Sequence, residues 1–129
     1  DLVRATFEGI ALNARWMKEA VEKLVHRELP GGFTELTYVG GGAQSDLWCQ
    51  TLADVLRCTV RQAEEPVLAN ARGAAFLAAI GAGELNWSDV PGLVRIRATY
   101  QPDPANAALH DESYRAFRRL YRRVRGLYR

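Results

Sequence analysis

Leu36-Thr37-Tyr38-Val39-Gly40-Gly41-Gly42-Ala43-Gln44-Ser45-Asp46-Leu47-Trp48 is a short apolar run that meets three consecutive glycines and then turns amphipathic. Leu36 to Val39 are strand formers, and a buried parallel strand needs no more than such a compact run. The glycines end it. Without Cβ atoms they admit positive φ and let a flat ligand or a phosphate lie against the main chain. Ser45 or Asp46 is placed to cap the next helix, whose first N–H groups and positive dipole end would face whatever the glycines admit. The residues allow two readings: a nucleotide-side turn, or a plain strand-to-helix turn that uses glycine for tight packing.

Upstream, Val3, Phe7, Ile10, Ala14, Met17, Val21 and Leu24 recur at alternating steps of four and three. That spacing predicts one amphipathic helix from Leu2 to about His26 with a continuous apolar stripe. Arg15, Lys18, Glu19, Glu22 and Lys23 read as its solvated face, Glu8 as a surface or packing residue, and Gly9 as a point of close helix packing. No cap signal precedes Leu2, as expected of a fragment. Leu29-Pro30-Gly31-Gly32 breaks the helix, because proline cannot continue it and glycine supplies turn geometry.

Downstream, Leu47, Trp48, Leu52, Val55 and Leu56 mark a second helix from Ser45 to about Leu56, and Cys58-Thr59-Val60-Arg61-Gln62 is a second strand. Glu64-Glu65-Pro66 is a loop before a third helix, Leu68 to about Ala82. The small residues Gly73, Ala74, Ala75, Ala78 and Ala79 read as a face for close packing on a sheet or another backbone. Helix and strand alternate with short links, the α/β pattern of adjacent parallel strands joined by right-handed crossovers. Val94 to Tyr100 alternates as a short extended segment at an edge, Pro102 to Asn106 is a loop, and His110 to Val124 is a last helix. Tyr114, Phe117, Leu120, Tyr121 and Val124 form its apolar side.

With 129 residues, 48% hydrophobic and 25% charged, the chain has the size and composition of one soluble globular domain. No apolar run reaches bilayer-spanning length and no signal-peptide layout opens the chain, so a cytoplasmic location is expected and a membrane partner is not. Cys49 and Cys58 are expected to be free, buried or half-buried thiols. His26 and His110 lack zinc-ligand spacing and read as surface residues. Asp46, Asp54 and Asp89 form no recognisable acid/base pair. The net charge of +2 conceals an asymmetry: Tyr114 to Arg129 holds seven arginines and no acid, leaving ten basic against fifteen acidic residues before it. Arg115, Arg118, Arg119, Arg122, Arg123, Arg125 and Arg129 suggest a nucleic-acid or acidic-partner module as the rival reading. Arginine is also a good helix former with a packable stem. The favoured reading packs the aromatic side of this helix on the domain, leaves its charges in water and assigns it no nucleic acid.

The motifs taken together carry a resemblance. Val39-Gly40-Gly41-Gly42-Ala43-Gln44-Ser45, with Trp48, Gln50, Ala53-Asp54 and Asn70-Ala71-Arg72-Gly73-Ala74-Ala75-Phe76-Leu77-Ala78-Ala79, resembles the FGGY carbohydrate kinases. Arg4-Ala5-Thr6-Phe7-Glu8-Gly9 is similar to the helix preceding that family's adenosine motif. The likeness runs from Asp1 to about Gly83 and more loosely to the end. It looks most like the xylulokinase branch, since glycerol kinases usually carry aspartate where this chain has Gly40.

The resemblance implies a partial ribonuclease H-like, actin-type ATPase domain: helix-strand-helix-strand-helix with an added C-terminal helix. The family's N-terminal domain and three early strands of the C-terminal domain would lie outside the chain. It also implies ATP and Mg²⁺ as cofactors and a sugar substrate, a ketopentose such as D-xylulose. Gly41, Gly42 and Ala43 would lie against adenosine and the α-phosphate, with Gln44, Ser45 and Asp46 at the rim. The aspartate general base and the other phosphate loops would lie elsewhere, so no catalytic residue is assigned here. The chain alone is expected to be inactive, to bind ATP weakly or not at all, and to carry an unpaired sheet edge open to self-association. Replacing Gly42 by valine is expected to block adenosine while the fold survives. A third reading is an assembly or regulatory domain with a degenerate nucleotide turn.

Overall fold

The computed structural model describes residues 2–128. Asp1, where the family resemblance begins, and Arg129 of the arginine cluster lie outside the described residues. The elements follow in the order α1 (Leu2–Leu24), β1 (Glu35–Tyr38), α2 (Asp46–Leu56), β2 (Thr59–Ala63), α3 (Ala69–Gly81), the one-turn α4 (Val90–Leu93), β3 (Ile96–Tyr100) and α5 (Ala107–Val124). Single 3₁₀ turns at Gly41–Gln44, Pro66–Leu68, Trp87–Asp89 and Pro104–Asn106 lead into the helices or link them.

The sheet has the order β1-β2-β3. β1 and β2 are adjacent and parallel, Leu36 facing Val60 and Tyr38 facing Gln62, as the crossover helix between them requires. β3 pairs antiparallel on the other side of β2, Tyr100 facing Val60. The alternating segment is therefore an edge strand, and the sheet is mixed rather than all parallel.

The core lies on one face of this sheet. Trp48, Cys49, Leu52, Val55 and Leu56 of α2 pack with Val60, with Ala11 and Leu12 of α1, and with Tyr114 of α5. Aromatic contacts complete the helix layer: the Trp16 ring meets Tyr121 edge-on at 4.6 Å and Phe117 at 6.3 Å, and Phe7 lies 5.1 Å from Trp48. Such tilted and edge-on geometries suit the ring quadrupoles. Asp54 is buried on α2, but its carboxylate accepts from Gln50 Nε2 at 2.7 Å, from the Asp103 N–H at 2.8 Å and from Asn106 Nδ2 at 2.9 Å. It thereby fastens the loop ahead of α5 to α2, and its buried charge is satisfied.

Three expectations are corrected. In α1 the covered face is rotated away from the expected stripe, onto Ala11, Leu12, Arg15 and Lys18. The Arg15 and Lys18 side chains are mostly covered, Arg15 paired with Asp111 of α5 at 2.9 Å and stacked over Tyr114, Lys18 paired with Glu22 at 2.7 Å. Glu22 also accepts from the Phe33 N–H. Most of the apolar stripe lies outward instead, with Val3 62%, Ile10 52%, Met17 63% and Leu24 81% exposed, while Phe7 rests on Trp48 and Ala14 packs against the core. The second correction concerns the small residues. A Cβ at Gly9 or Gly73 would meet nothing within 4 Å, and α3 buries no residue, so neither glycine serves close packing among the described residues. Third, His110 is buried at 7% exposure, because the anchored loop sets the first turn of α5 against α2.

The glycine turn as a candidate nucleotide site

β1 and β2 run parallel, so both carboxyl ends open on the same side of the sheet, where ligands of open α/β folds bind. The two ends are tied together by the Gly40 N–H, which donates to the Pro66 carbonyl at 2.7 Å. Gly40 has φ +90° and ψ −176°, a conformation that excludes side chains. The chain then makes its 3₁₀ turn: the Ala43 N–H donates to Gly40 O at 3.1 Å and the Ser45 N–H to Gly42 O at 3.2 Å. Of the two capping candidates, Ser45 is the N-cap of α2, since its backbone is extended and its Oγ accepts from the Trp48 N–H at 3.2 Å. Asp46 follows in the first helical turn, where a negative charge suits the helix dipole.

The three glycines of the triplet differ in what they face. A Cβ on Gly42 would run into the Tyr38 hydroxyl and come within 3.1 Å of Trp48 Nε1, two groups already joined by a hydrogen bond at 2.7 Å. Gly42 is thus glycine for internal packing, and valine there disturbs the fold itself, contrary to the expectation. A Cβ on Gly41 would meet no neighbour within 4 Å, and the residue has no positive φ, so its bare main chain faces open space. Here a flat ligand would meet no steric obstacle from a neighbouring side chain.

Gly41, Gly42, Gln44, Ser45 and Asp46 share this exposed rim. Ala43 is fully buried, and its carbonyl accepts from Gln62 Nε2 at 2.6 Å. Gln62 also donates to Asp46 Oδ1 at 3.1 Å, and Arg97 of β3 stands 3.8 Å from Asp46 Oδ2. The hydrogen bonds from Gln62 and from Tyr100, with the Arg97 charge behind them, hold the Asp46 carboxyl below its ordinary range. Cys49 lies beneath the turn with its Sγ 4.0 Å from Ala43 O, and burial pushes this thiol up, which favours its neutral form. The Cys58 thiol, also free, is raised by burial as well.

Beside the turn, Glu64, Glu65, Arg72, Leu93 and Arg95 line a shallow polar pocket of about 390 Å³. Arg72 closes it by donating to the Glu64 carbonyl at 3.0 Å, and Glu65 adopts the left-handed region with φ 46°. No group of three His, Cys, Asp or Glu side chains is placed to hold a metal ion among the described residues. The sequence reading missed Tyr38, Gln62, Pro66, Arg97 and Tyr100 as parts of the turn's support. The one signal available was the period of two in β2, which sets polar Gln62 on the same face as Val60.

Comparison with known proteins agrees with this architecture. The family model for the FGGY family of carbohydrate kinases, C-terminal domain, matches residues 1–82. The chain is 26% identical to the xylulose kinase of Staphylococcus epidermidis over 129 residues, covering 98% of this chain and 25% of that protein. It is 33% identical to the glycerol kinase of Thermus brockianus over 128 residues, 97% of this chain and 24% of the relative. The autoinducer-2 kinase of Escherichia coli is 37% identical over 98 residues, 73% of this chain and 18% of the relative. Among solved structures, the xylulose kinase of Rhodospirillum rubrum superposes with a TM-score of 0.76 at 37% identity, over 98% of this chain and 25% of that one. The xyloylose kinase of Brucella ovis gives 0.80 at 29% identity over the same shares. The chain spans about a quarter of the length of the curated relatives it matches. On this match of sequence and fold, the chain belongs to the FGGY family of carbohydrate kinases and corresponds to part of that family's C-terminal domain.

Proposed function

We propose that this chain supplies the adenosine-binding turn of an ATP-dependent sugar kinase, which transfers the γ-phosphate of MgATP to a sugar hydroxyl in the cytoplasm. The observation that carries the reading is Gly41: an open main-chain surface between the carboxyl end of β1 and the N-terminus of α2. In this reading Gly41 and Gly42 lie against adenosine and the α-phosphate, Ala43 contributes its main chain, and Gln44, Ser45 and Asp46 form the rim. Phosphoryl transfer depends on positioning the γ-phosphate and Mg²⁺ against an oriented hydroxyl. The general base and the groups that hold Mg²⁺ are assigned to the remainder of the complete protein. Residues 1–129 then form a partial C-terminal domain. Two observations support that division: β1 is an open sheet edge, and most of the apolar stripe of α1 lies uncovered.

The substrate we favour is a ketopentose such as D-xylulose, on the strength of Gly40 within the glycine triplet and of the xylulose kinases among the similar proteins. Glycerol and autoinducer-2 kinases are also among them, so the sugar is the open variable. Sugar-dependent release of ADP by the full-length protein tests the reading, with D-xylulose, glycerol and other polyols offered in parallel. Turnover with D-xylulose far above the others is the expected result. Turnover with another polyol alone overturns the substrate, and none with any of them overturns the kinase assignment.

A further inference from the structure

Gln62 fastens the turn from beneath. Gln62 projects from β2 with no exposed surface, and each group of its carboxamide is engaged. Nε2 donates to the Ala43 carbonyl at 2.6 Å and to Asp46 Oδ1 at 3.1 Å, while Oε1 accepts from the Tyr100 hydroxyl at 3.1 Å. A carboxamide nitrogen has two hydrogens, and both are used. Turned over, the group would set its oxygen against a carbonyl and a carboxylate, two acceptors, so Tyr100 and the turn together select one orientation. The anchor points bracket Gln44 and Ser45. One fixes the end of the 3₁₀ turn and the other the start of α2, and both are tied to the sheet.

We infer that Gln62 is a positioning residue for nucleotide binding, an inference that rests on the reading of the turn given above. It holds the main chain from Gly41 to Asp46 in the shape that receives adenosine. It also keeps the Asp46 carboxylate engaged with the sheet, beside Arg97, rather than free beside the anionic end of the ligand. Tyr100 orients the Gln62 amide, and its one hydroxyl hydrogen is shared with Asp46.

Replacement of Gln62 by glutamate gives a test that a merely structural role would not pass. A carboxylate at this position would face the Ala43 carbonyl and Asp46 and Cys49 of α2, with Tyr100 and Arg97 on β3. Ionised, it repels Asp46 and offers no hydrogen to the turn. Protonated, it donates one. Burial and the neighbouring carboxylate both favour the protonated form, so its titration falls above the ordinary glutamate range.

The experiment is calorimetric titration of adenosine, an uncharged probe, into the full-length protein at about pH 8 and about pH 5.5, spanning that titration. Gln62→Glu is expected to weaken binding roughly tenfold or more at the higher pH, the consequence of unmade buried hydrogen bonds, and to recover most of it at the lower. Gln62→Met is expected to be weak at both, and the unaltered protein equally tight at both. Tyr100→Phe is expected to weaken binding more mildly, with a smaller further loss in the Gln62→Met background, because part of its effect runs through that amide. Unaltered affinity of Gln62→Glu at both pH values overturns the inference, as does a Tyr100→Phe effect that is undiminished in the Gln62→Met background. Gly41→Val separates this from failure of the underlying reading. If that variant binds adenosine normally, the turn is not the site. If it loses adenosine while Gln62→Glu does not, only the role of Gln62 falls.

Discussion

At Gly40 the φ of +90° lies where L side chains pay a steric penalty, at Gly42 a methyl group would enter the space of Tyr38 and Trp48, and at Gly41 neither restriction holds. Alanine should therefore separate the three in this chain. Gly40→Ala should cost roughly 1–3 kcal/mol, because its φ, ψ pair is open essentially to glycine alone, and Gly42→Ala about 1–3 kcal/mol through overpacking. Gly41→Ala should stay within about 0.5 kcal/mol, as substitutions away from special features do. Denaturant midpoints at constant slope give the comparison. The triplet, and the strand and helix it joins, were legible from residue type and order. Which glycine answers to the backbone, which to the core and which to solvent was not, because that depends on where Tyr38 and Trp48 come to rest. The support from Gln62 and Tyr100 was hidden for a like reason: the two meet each other across 38 residues of sequence, and Gln62 reaches Ala43 across 19.

Among the elements, α1, α2 and α5 are joined at one carboxylate, Asp111, which pairs with Arg15 of α1 at 2.9 Å and with Arg57, the residue that caps α2 in the left-handed region. Burial alone would raise the Asp111 carboxyl, but the Arg15 hydrogen bond and the charges of Arg57, Arg15 and Arg115 outweigh it and hold the group below its ordinary range. A carboxyl depressed in the folded state adds stability above its unfolded pKa of about 3.9, and that stability fades as pH falls through the lower folded value. Acid unfolding followed by circular dichroism should show a shallower loss below about pH 4 in Asp111→Asn than in the unaltered chain. An equally steep loss would mean the pairing is inconsequential. Element identity and order were legible from periodicity and from the Gly and Pro breaks. The faces of α1 were not, because amphipathic spacing shows that a helix has two sides and leaves open which one this chain covers. The helix α5 follows the favoured reading in part: Tyr114 is buried, Phe117 packs on the core and Arg115, Arg119, Arg122 and Arg123 face water, but Leu120 of the apolar side is exposed and Arg118 lies over Trp16 and pairs with Glu19. In a salt-titrated assay with duplex and single-stranded DNA, affinity should stay weaker than about 1 µM at physiological salt, the range of non-specific phosphate contact. Sub-micromolar binding that falls steeply with salt would instead favour a nucleic-acid role.

For the molecule as a whole, two features coincide: the unpaired edge at β1, and most of the apolar stripe of α1 left uncovered. Open strands and large apolar patches both favour association. Sedimentation of this chain alone should show concentration-dependent self-association, reduced when Met17 and Leu24 are replaced by lysine. The full-length protein should show no such sensitivity to those substitutions. A strictly monomeric chain across the micromolar range would argue that the stripe needs no cover. The central claim is that the glycine turn holds the adenosine end of ATP, and calorimetric titration of MgATP into the full-length protein and its Gly41→Val variant tests it most directly. Valine at this open position should leave the circular dichroism spectrum and the denaturant midpoint nearly unchanged while ATP affinity falls by at least roughly tenfold, the loss expected when a side chain fills space a ligand needs. Equal affinity in the two proteins, with the fold intact, would contradict the account.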